Sequence, residues 1–176
     1  MRGGVVLVMK RKNFEISLKK GRIGEDIVRR VLEQDRFVVY QPVTTGAHAF
    51  DMLAVKDKDY TIAVDVKTKP RRKYYRDTGI NDDHYIVYRK FQDEHNIDFI
   101  IVFVDEVEKK IYGQTLNELD KPIYKEGHWY PWMQTTGGGK TIRYWHLDSM
   151  YVIGDVADNE AENLCELAQR NYEYCA

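Results

Sequence analysis

Three residues close together in the chain carry the chemistry: Asp51, then Asp65 and Lys67 at either side of Val66. They border the stretch FDMLAVKDKDYTIAVDVK from Phe50 to Lys67, which reads as two short apolar strands joined by a charged tip at Lys56-Asp57-Lys58-Asp59. Side chains alternate along a strand, so Ile62, Val64 and Val66 point one way while Ala63, Asp65 and Lys67 point the other. An acid and an ammonium two positions apart stand roughly 6–7 Å from each other at Cα. That gap suits groups flanking a small ion, a water or a phosphate. If the strands close as a hairpin, Asp51 lies toward the same open end as Asp65. An exposed Asp/Lys pair at a strand end contributes little by itself, so the pattern gains weight only from what precedes and follows it.

A third acid precedes it. From about Phe14 to Gln34 the apolar residues repeat at helical spacing, with Ile23, Ile27, Val28, Val31 and Leu32 on one arc. Gly24 falls within that arc, where a glycine lowers helix propensity by about 1 kcal/mol and implies close approach to a sheet. Glu25 lies at the edge of the stripe and Asp26 faces solvent, so Glu25 is the acid that can lean over a sheet; a solvated boundary carboxylate paired with Arg22 or Arg29 is the other reading.

A basic run follows it. Of the ten residues from Lys67 to Arg76, six are Lys or Arg. Pro70 makes the segment a loop. Lys69, Arg71, Arg72, Lys73 and Arg76, interleaved with Tyr74 and Tyr75, suit a phosphate backbone, the cations neutralising charge and the rings stacking on sugar and base. His48, in the loop before Phe50, is near enough to Asp51 to ligate a metal, although a loop histidine is more often simply exposed.

The remaining pattern is α/β. Phe37 to Tyr40 reads as a short strand and Thr78-Gly79-Ile80 as a turn. Asn81 with Asp82 and Asp83 opens a helix to about His95, whose Tyr85, Tyr88, Phe91, Gln92 and His95 are read first as packing, Gln92 being the one that could also touch the site. Phe99 to Val104 is a strand buried on both faces, and Ile111 to Thr115 is another. Aromatic segments then include HWYPW, TIRYW and MYVIG, and a helix from about Asp158 closes the chain. The glycines before Lys140-Thr141 invite a phosphate-loop reading, but Gln134 stands where the motif requires glycine. A β-hairpin loop is expected there, and no nucleotide cofactor.

The set Glu25, Asp51, thirteen intervening residues, then Asp65-Val66-Lys67, on helix, strand and strand in that order, resembles the PD-(D/E)XK nuclease superfamily, which includes archaeal Holliday junction resolvases and restriction enzymes. The likeness covers about residues 14–115. Two departures are Ala49-Phe50 where a proline commonly precedes the first acid, and Asp65 where glutamate is commoner. The resemblance implies a restriction-endonuclease-like core, a small mixed β-sheet flanked by helices; outside it, residues 1–13 read as a frayed N-terminal tail or a small edge strand, and 116–176 as an aromatic β-hairpin and helix extension on the same domain. It implies Mg²⁺, with Mn²⁺ as substitute, held by Asp51, Asp65, the Val66 carbonyl and Glu25, with Lys67 on the attacking water or scissile phosphate. The implied activity is endonucleolytic cleavage of branched or structured DNA by a homodimer, since cutting two strands takes two sites and one chain supplies one. The alternative is a non-catalytic nucleic-acid-binding or assembly module that kept the nuclease core.

Bulk properties set the bounds. A chain of 176 residues with 43% hydrophobic content suits one domain with a real core. A net charge of −1 excludes a globally basic nucleic-acid binder but not a local patch. Cys165 and Cys175 have no metal-ligand spacing, no apolar run approaches a membrane span, and a cytoplasmic location is the default expectation.

Overall fold

The computed structural model describes the backbone of residues 3–43, 49–58 and 60–173, and the side chains of 13–43, 49–58 and 60–169. The chain runs α1 (Gly3–Gln34), β1 (Val38–Tyr40), β2 (Met52–Lys56), β3 (Tyr60–Thr68), β4 (Asp77–Asn81), α2 (Asp82–His95), β5 (Asp98–Asp105), β6 (Lys110–Thr115) and α3 (Leu116–Leu119). There follow β7 (Ile123–Lys125), β8 (His128–Tyr130), β9 (Trp132–Thr135), β10 (Thr141–His146), β11 (Tyr151–Asp155) and α4 (Asp158–Glu173).

A six-stranded mixed sheet in the order β1-β2-β3-β5-β6-β11 forms the centre, with β3 and β5 parallel and every other pair antiparallel. The α/β class expected from the sequence, helices flanking a mixed sheet, is the class observed. Alternation along β3 divides the core in two. Ile62, Val64 and Val66 meet Ile27 and Val28 of α1 and Leu164 of α4 on one face. Ala63 on the other face joins Tyr88 of α2, Leu116 of α3 and Trp145 of β10. The β-branched run of β5 supplies both layers, Val102 and Val104 to the first, Phe99, Ile101 and Phe103 to the second, as a strand covered on both sides must.

Gly24 explains how α1 seats on the sheet. A Cβ there would collide with Thr68 Oγ1 and lie 3.0 Å from Thr68 Cβ, so the helix backbone rests directly on the end of β3. The β2–β3 turn places Asp57 in the left-handed region (φ 57°), which aspartate tolerates better than most residues. Asn96 does the same at the end of α2 (φ 52°).

Three expectations change. Residues 3–13 are helical and not a tail or an edge strand: α1 begins at Gly3, because a helix nucleated by the strong pattern downstream propagates at one hydrogen bond per added residue. Thr78-Gly79-Ile80 is not a turn but the middle of β4, paired to β10 through Ile80↔Arg143 and Gly79↔Tyr144. Its glycine permits close approach, since a Cβ would lie 2.8 Å from the Tyr144 ring. Asn81 precedes α2 but makes no side-chain cap bond. The region beyond residue 115 is woven into the rest: β10 pairs with β4, β11 with β6, and α4 packs along α1.

Candidate active site

The β2–β3 register pairs Met52 with Val64. One step further toward the open end, Asp51 therefore stands across from Asp65. The backbone N–H of Asp51 donates to the Val64 carbonyl at 2.9 Å, and its carboxylate Oδ2 accepts the Val66 N–H at 2.8 Å. Asp65 is 5% exposed, and Lys67 Nζ lies 2.9 Å from its Oδ1 and 2.7 Å from its Oδ2. Burial pushes the Asp65 carboxyl up to about 6, Lys67 pulls it back and the facing Asp51 carboxylate pushes it further. Tyr88 of α2 closes the floor. Its hydroxyl is held well above the usual phenol range by burial and by the Asp65 and Asp51 charges, and Lys67 Nζ stands 5.9 Å over its ring.

Like charges placed opposite each other across two strands are destabilising. Here one of them is also buried, and Lys67 is the only ammonium bonded to it among the described residues. Such a pair has acceptor capacity for a hard cation. Mg²⁺ commonly takes one or two protein carboxylates, keeps several waters and shares substrate phosphate, and Asp51 with Asp65 meets that requirement. Among the described residues no group of three or more His, Cys, Asp and Glu side chains is placed to hold a metal ion.

Glu25 does not join the two aspartates in such a group. Helix α1 covers the sheet face carrying Val64 and Val66, whereas Asp65 and Lys67 alternate to the face shared with Tyr88. Glu25 sits half-buried beside Gly24, its Oε1 3.9 Å from where a Cβ of Gly21 would be. The helical arc locates this acid on α1 but says nothing about which sheet face α1 covers. His48 lies outside the described residues.

The basic run divides in two. Arg72 forms a two-pronged ion pair with Asp77, which is wholly buried, and its guanidinium lies 4.0, 4.5 and 4.7 Å from the ring centres of Tyr144, Tyr75 and Trp132. Arg71 pairs with Glu108, and Lys69 donates to the Gly79 carbonyl. Burial, then the neighbouring Lys67, lowers the Lys69 ammonium to about 8. These three cations hold the loop to β4, β10 and the β5–β6 turn, a correction to reading the whole run as phosphate-facing. Lys73, Tyr74 and Arg76 are exposed, and Tyr75 packs on His128 and Trp132.

Two groups near the site were not singled out by the sequence. Tyr88, read as packing, also faces Asp65. His84, one turn earlier on α2, has its ring 6.2 Å from that of Tyr88. Partial burial, then the charges of Lys67 and of Lys140 in the β9–β10 loop, lower its imidazole below the usual range against the pull of Asp83. Four-residue spacing on a helix hints at the His84–Tyr88 pair, but only the tertiary fold brings Lys140 over it. Gln92 is structural: it accepts the Phe99 N–H at 3.0 Å and donates to Asn117 at 2.9 Å.

No family model matches this chain, and no curated protein sequence matches it. Among solved structures it is similar to Hjc of Archaeoglobus fulgidus, a Holliday junction resolvase from an archaeal hyperthermophile, at 11% identity and a TM-score of 0.47, over 73% of this chain and 94% of that one. No helix among the described residues is long and apolar enough to cross a membrane.

Proposed function

We propose that this protein is a metal-dependent DNA endonuclease of the PD-(D/E)XK type that hydrolyses phosphodiester bonds in branched or structured DNA. One observation carries the reading: two carboxylates, Asp51 and Asp65, are placed opposite each other at the open end of a hairpin with Lys67 against the second. Stability alone gives no reason to bury a carboxylate facing another.

In this reading Asp51 and Asp65, with the Val66 carbonyl, hold Mg²⁺ or Mn²⁺. When bound, the ion supplies Lewis-acid stabilisation of charge on the phosphate and lowers the pKa of coordinated water. Asp51 is oriented by the Val66 N–H. Lys67 is oriented by Asp65 and positions the attacking water or a scissile-phosphate oxygen. Tyr88 fixes Asp65 from below and keeps bulk water off it. Glu25 contributes only if α1 brings it around the end of β3 when DNA binds. Lys73 and Arg76 take the phosphate backbone beside the site. Two strands require two sites, so the active form is a homodimer, and a cytoplasmic location suits the substrate.

The second reading is a nucleic-acid-binding or assembly module that keeps the nuclease core without catalysis. Incubation of supercoiled, linear and four-way-junction DNA with Mg²⁺ separates the two, with Asp65→Ala as control. Cleavage that disappears in the variant is the expected result. An inert wild-type protein on every substrate leaves the binding module, and a fully active Asp65→Ala protein removes the site assignment.

A further inference from the structure

The β7–β8 hairpin has no role in the chemistry above, yet it carries the most exposed tryptophan. Tyr124 and Trp129 are cross-strand partners, their ring centres 5.3 Å apart, and they are 59% and 64% exposed. Aromatic rings of this size normally bury about 150–250 Å² each, so an exposed pair on a two-stranded ribbon calls for an occupant. The opposite face of the ribbon is tethered. His128 stacks on Trp132 at 4.7 Å with the rings 3° from parallel, and meets Tyr75 of the basic loop at 5.6 Å. The Arg76 N–H donates to Glu126 at 3.1 Å. The aromatic ribbon and the basic loop therefore form one continuous surface, and Tyr74 adds a third ring, 82% exposed, with Lys73 Nζ 5.4 Å from its centre.

The charge on this surface decides what fits it. Lys73 stands exposed beside Tyr74, and Arg76 and Lys125 flank the ribbon about half exposed, both facing Asp148, while Arg71, Arg72 and Arg143 are taken up by Glu108, Asp77 and Asp82. Protein–protein interface cores favour aromatic rings but are depleted of lysine; here rings and lysines alternate. Flat rings interleaved with cations match single-stranded nucleic acid, where bases stack on the rings and the cations follow the backbone. Paired bases inside a duplex already have both faces covered, so only unpaired ones can take the position of Tyr124 and Trp129.

We propose that the β7–β8 hairpin and the 71–76 loop form a stacking platform for unpaired bases of DNA, by which the protein recognises strands opened at a branch or a break. The proposal rests on the nuclease reading for the choice of DNA, but the surface itself is independent of Asp51 and Asp65. The test is therefore a binding measurement in EDTA, on an Asp65→Asn background, in which cleavage plays no part. Trp145 is fully buried and Trp132 lies in the His128 stack, so emission quenching reports chiefly on Trp129. An oligothymidylate of about 12 nucleotides, within the usual single-strand site size, is expected to quench the emission, and the same length of duplex is not.

Trp129→Ala and Tyr124→Ala are each expected to weaken single-strand binding, followed by anisotropy of a labelled oligonucleotide, on the order of 10-fold, the loss of one stacked base. Trp129→Phe should retain most of the affinity. Thermal melting checks that the variants fold. Unchanged single-strand affinity in both alanine variants, an equal loss for duplex, or no single-strand binding by the parent protein each overturns the platform. A protein that binds through Trp129 yet never cleaves overturns only the nuclease reading.

Discussion

Oδ2 of Asp51 accepts the backbone N–H of Val66 at 2.8 Å, so one carboxylate is fixed to the residue that separates Asp65 from Lys67. The three groups consequently move as one unit, and the charge of Asp51 is held toward Asp65 and not left to rotate into solvent. Asp51→Asn keeps an acceptor oxygen for Val66 but removes that charge. The Asp65 carboxyl, held at about 6 partly by Asp51, is expected to titrate lower in the variant. Carbon-detected NMR of the side-chain carboxyl in EDTA reads this directly. Cleavage should be lost at the same time, and an Asp65 midpoint that stays at its parent value would show that the two carboxylates do not face each other.

The same shift gives a pH signature in the metal-free protein. An unfolded aspartate titrates near 3.9, below the folded value of about 6. Between those values the folded state binds more protons than the unfolded state, so stability falls as pH rises through the window and stays reduced above it. For one group the shift amounts to about 3 kcal/mol at most. Asp65→Asn abolishes this component. Urea melts in EDTA should show the variant gaining on the parent protein between about pH 4 and pH 6.5, with little difference at the acid end. A constant difference at both ends would place the penalty elsewhere.

Lys67 is expected to act on rate more than on folding. Its ammonium holds the buried Asp65 but is itself about a quarter exposed. Lys67→Met should lower single-turnover cleavage by about 10²–10³, the usual cost of removing one electrostatic partner of a transition state. Substrate affinity should change far less, because Lys73 and Arg76 remain. A loss confined to affinity would make Lys67 another backbone contact.

Much of this arrangement was legible in the sequence because it depends on period. Alternation along Ile62 to Lys67 assigns each side chain to its face, and the structure has Val64 and Val66 under α1 and Asp65 over Tyr88. The glycine in the apolar arc of α1 signals a close approach, and Thr68 is what it approaches. What could not be read depends on pairing between distant segments. Gly79 looks like turn chemistry until β10 arrives beside it. A row of arginines looks uniformly solvent-facing until Asp77, Glu108 and three aromatic rings appear around two of them. Glu25 has the right helical phase, but periodicity within one helix cannot tell which side of the sheet that helix will cover.

Gly24 gives a packing test that runs against helix propensity. Alanine is the better helix former by about 1 kcal/mol, yet its methyl would overlap Thr68 Oγ1 and press on Thr68 Cβ. Overpacking of this kind costs about 1–3 kcal/mol, so Gly24→Ala is expected to destabilise. Thr68→Ala removes the nearest atom, and the double variant should recover part of the loss. A stabilised Gly24→Ala protein would mean that α1 stands off the sheet.

Neighbouring cations in the basic loop should behave oppositely. Arg72 is the ion-pair partner of Asp77, whose side chain is fully buried. Its removal leaves that carboxylate without its ion-pair partner, with the Tyr130 hydroxyl still donating to it at 2.9 Å, a situation that costs about 3–5 kcal/mol. Arg72→Ala should therefore lower the melting temperature sharply, and Arg72→Lys should rescue little, since an ammonium cannot reproduce the two-pronged pair or the stacking on three rings. Lys73→Ala, one residue on, removes an exposed charge with no ion-pair partner among the described residues. Its melting temperature should be unchanged while DNA affinity falls and the salt dependence of binding decreases by about one unit of slope. Paired melting and salt-titration curves for the two variants separate the residue that builds the loop from the one that meets the phosphates. A stable, weakly binding Arg72→Ala beside an unstable Lys73→Ala would reverse the assignment.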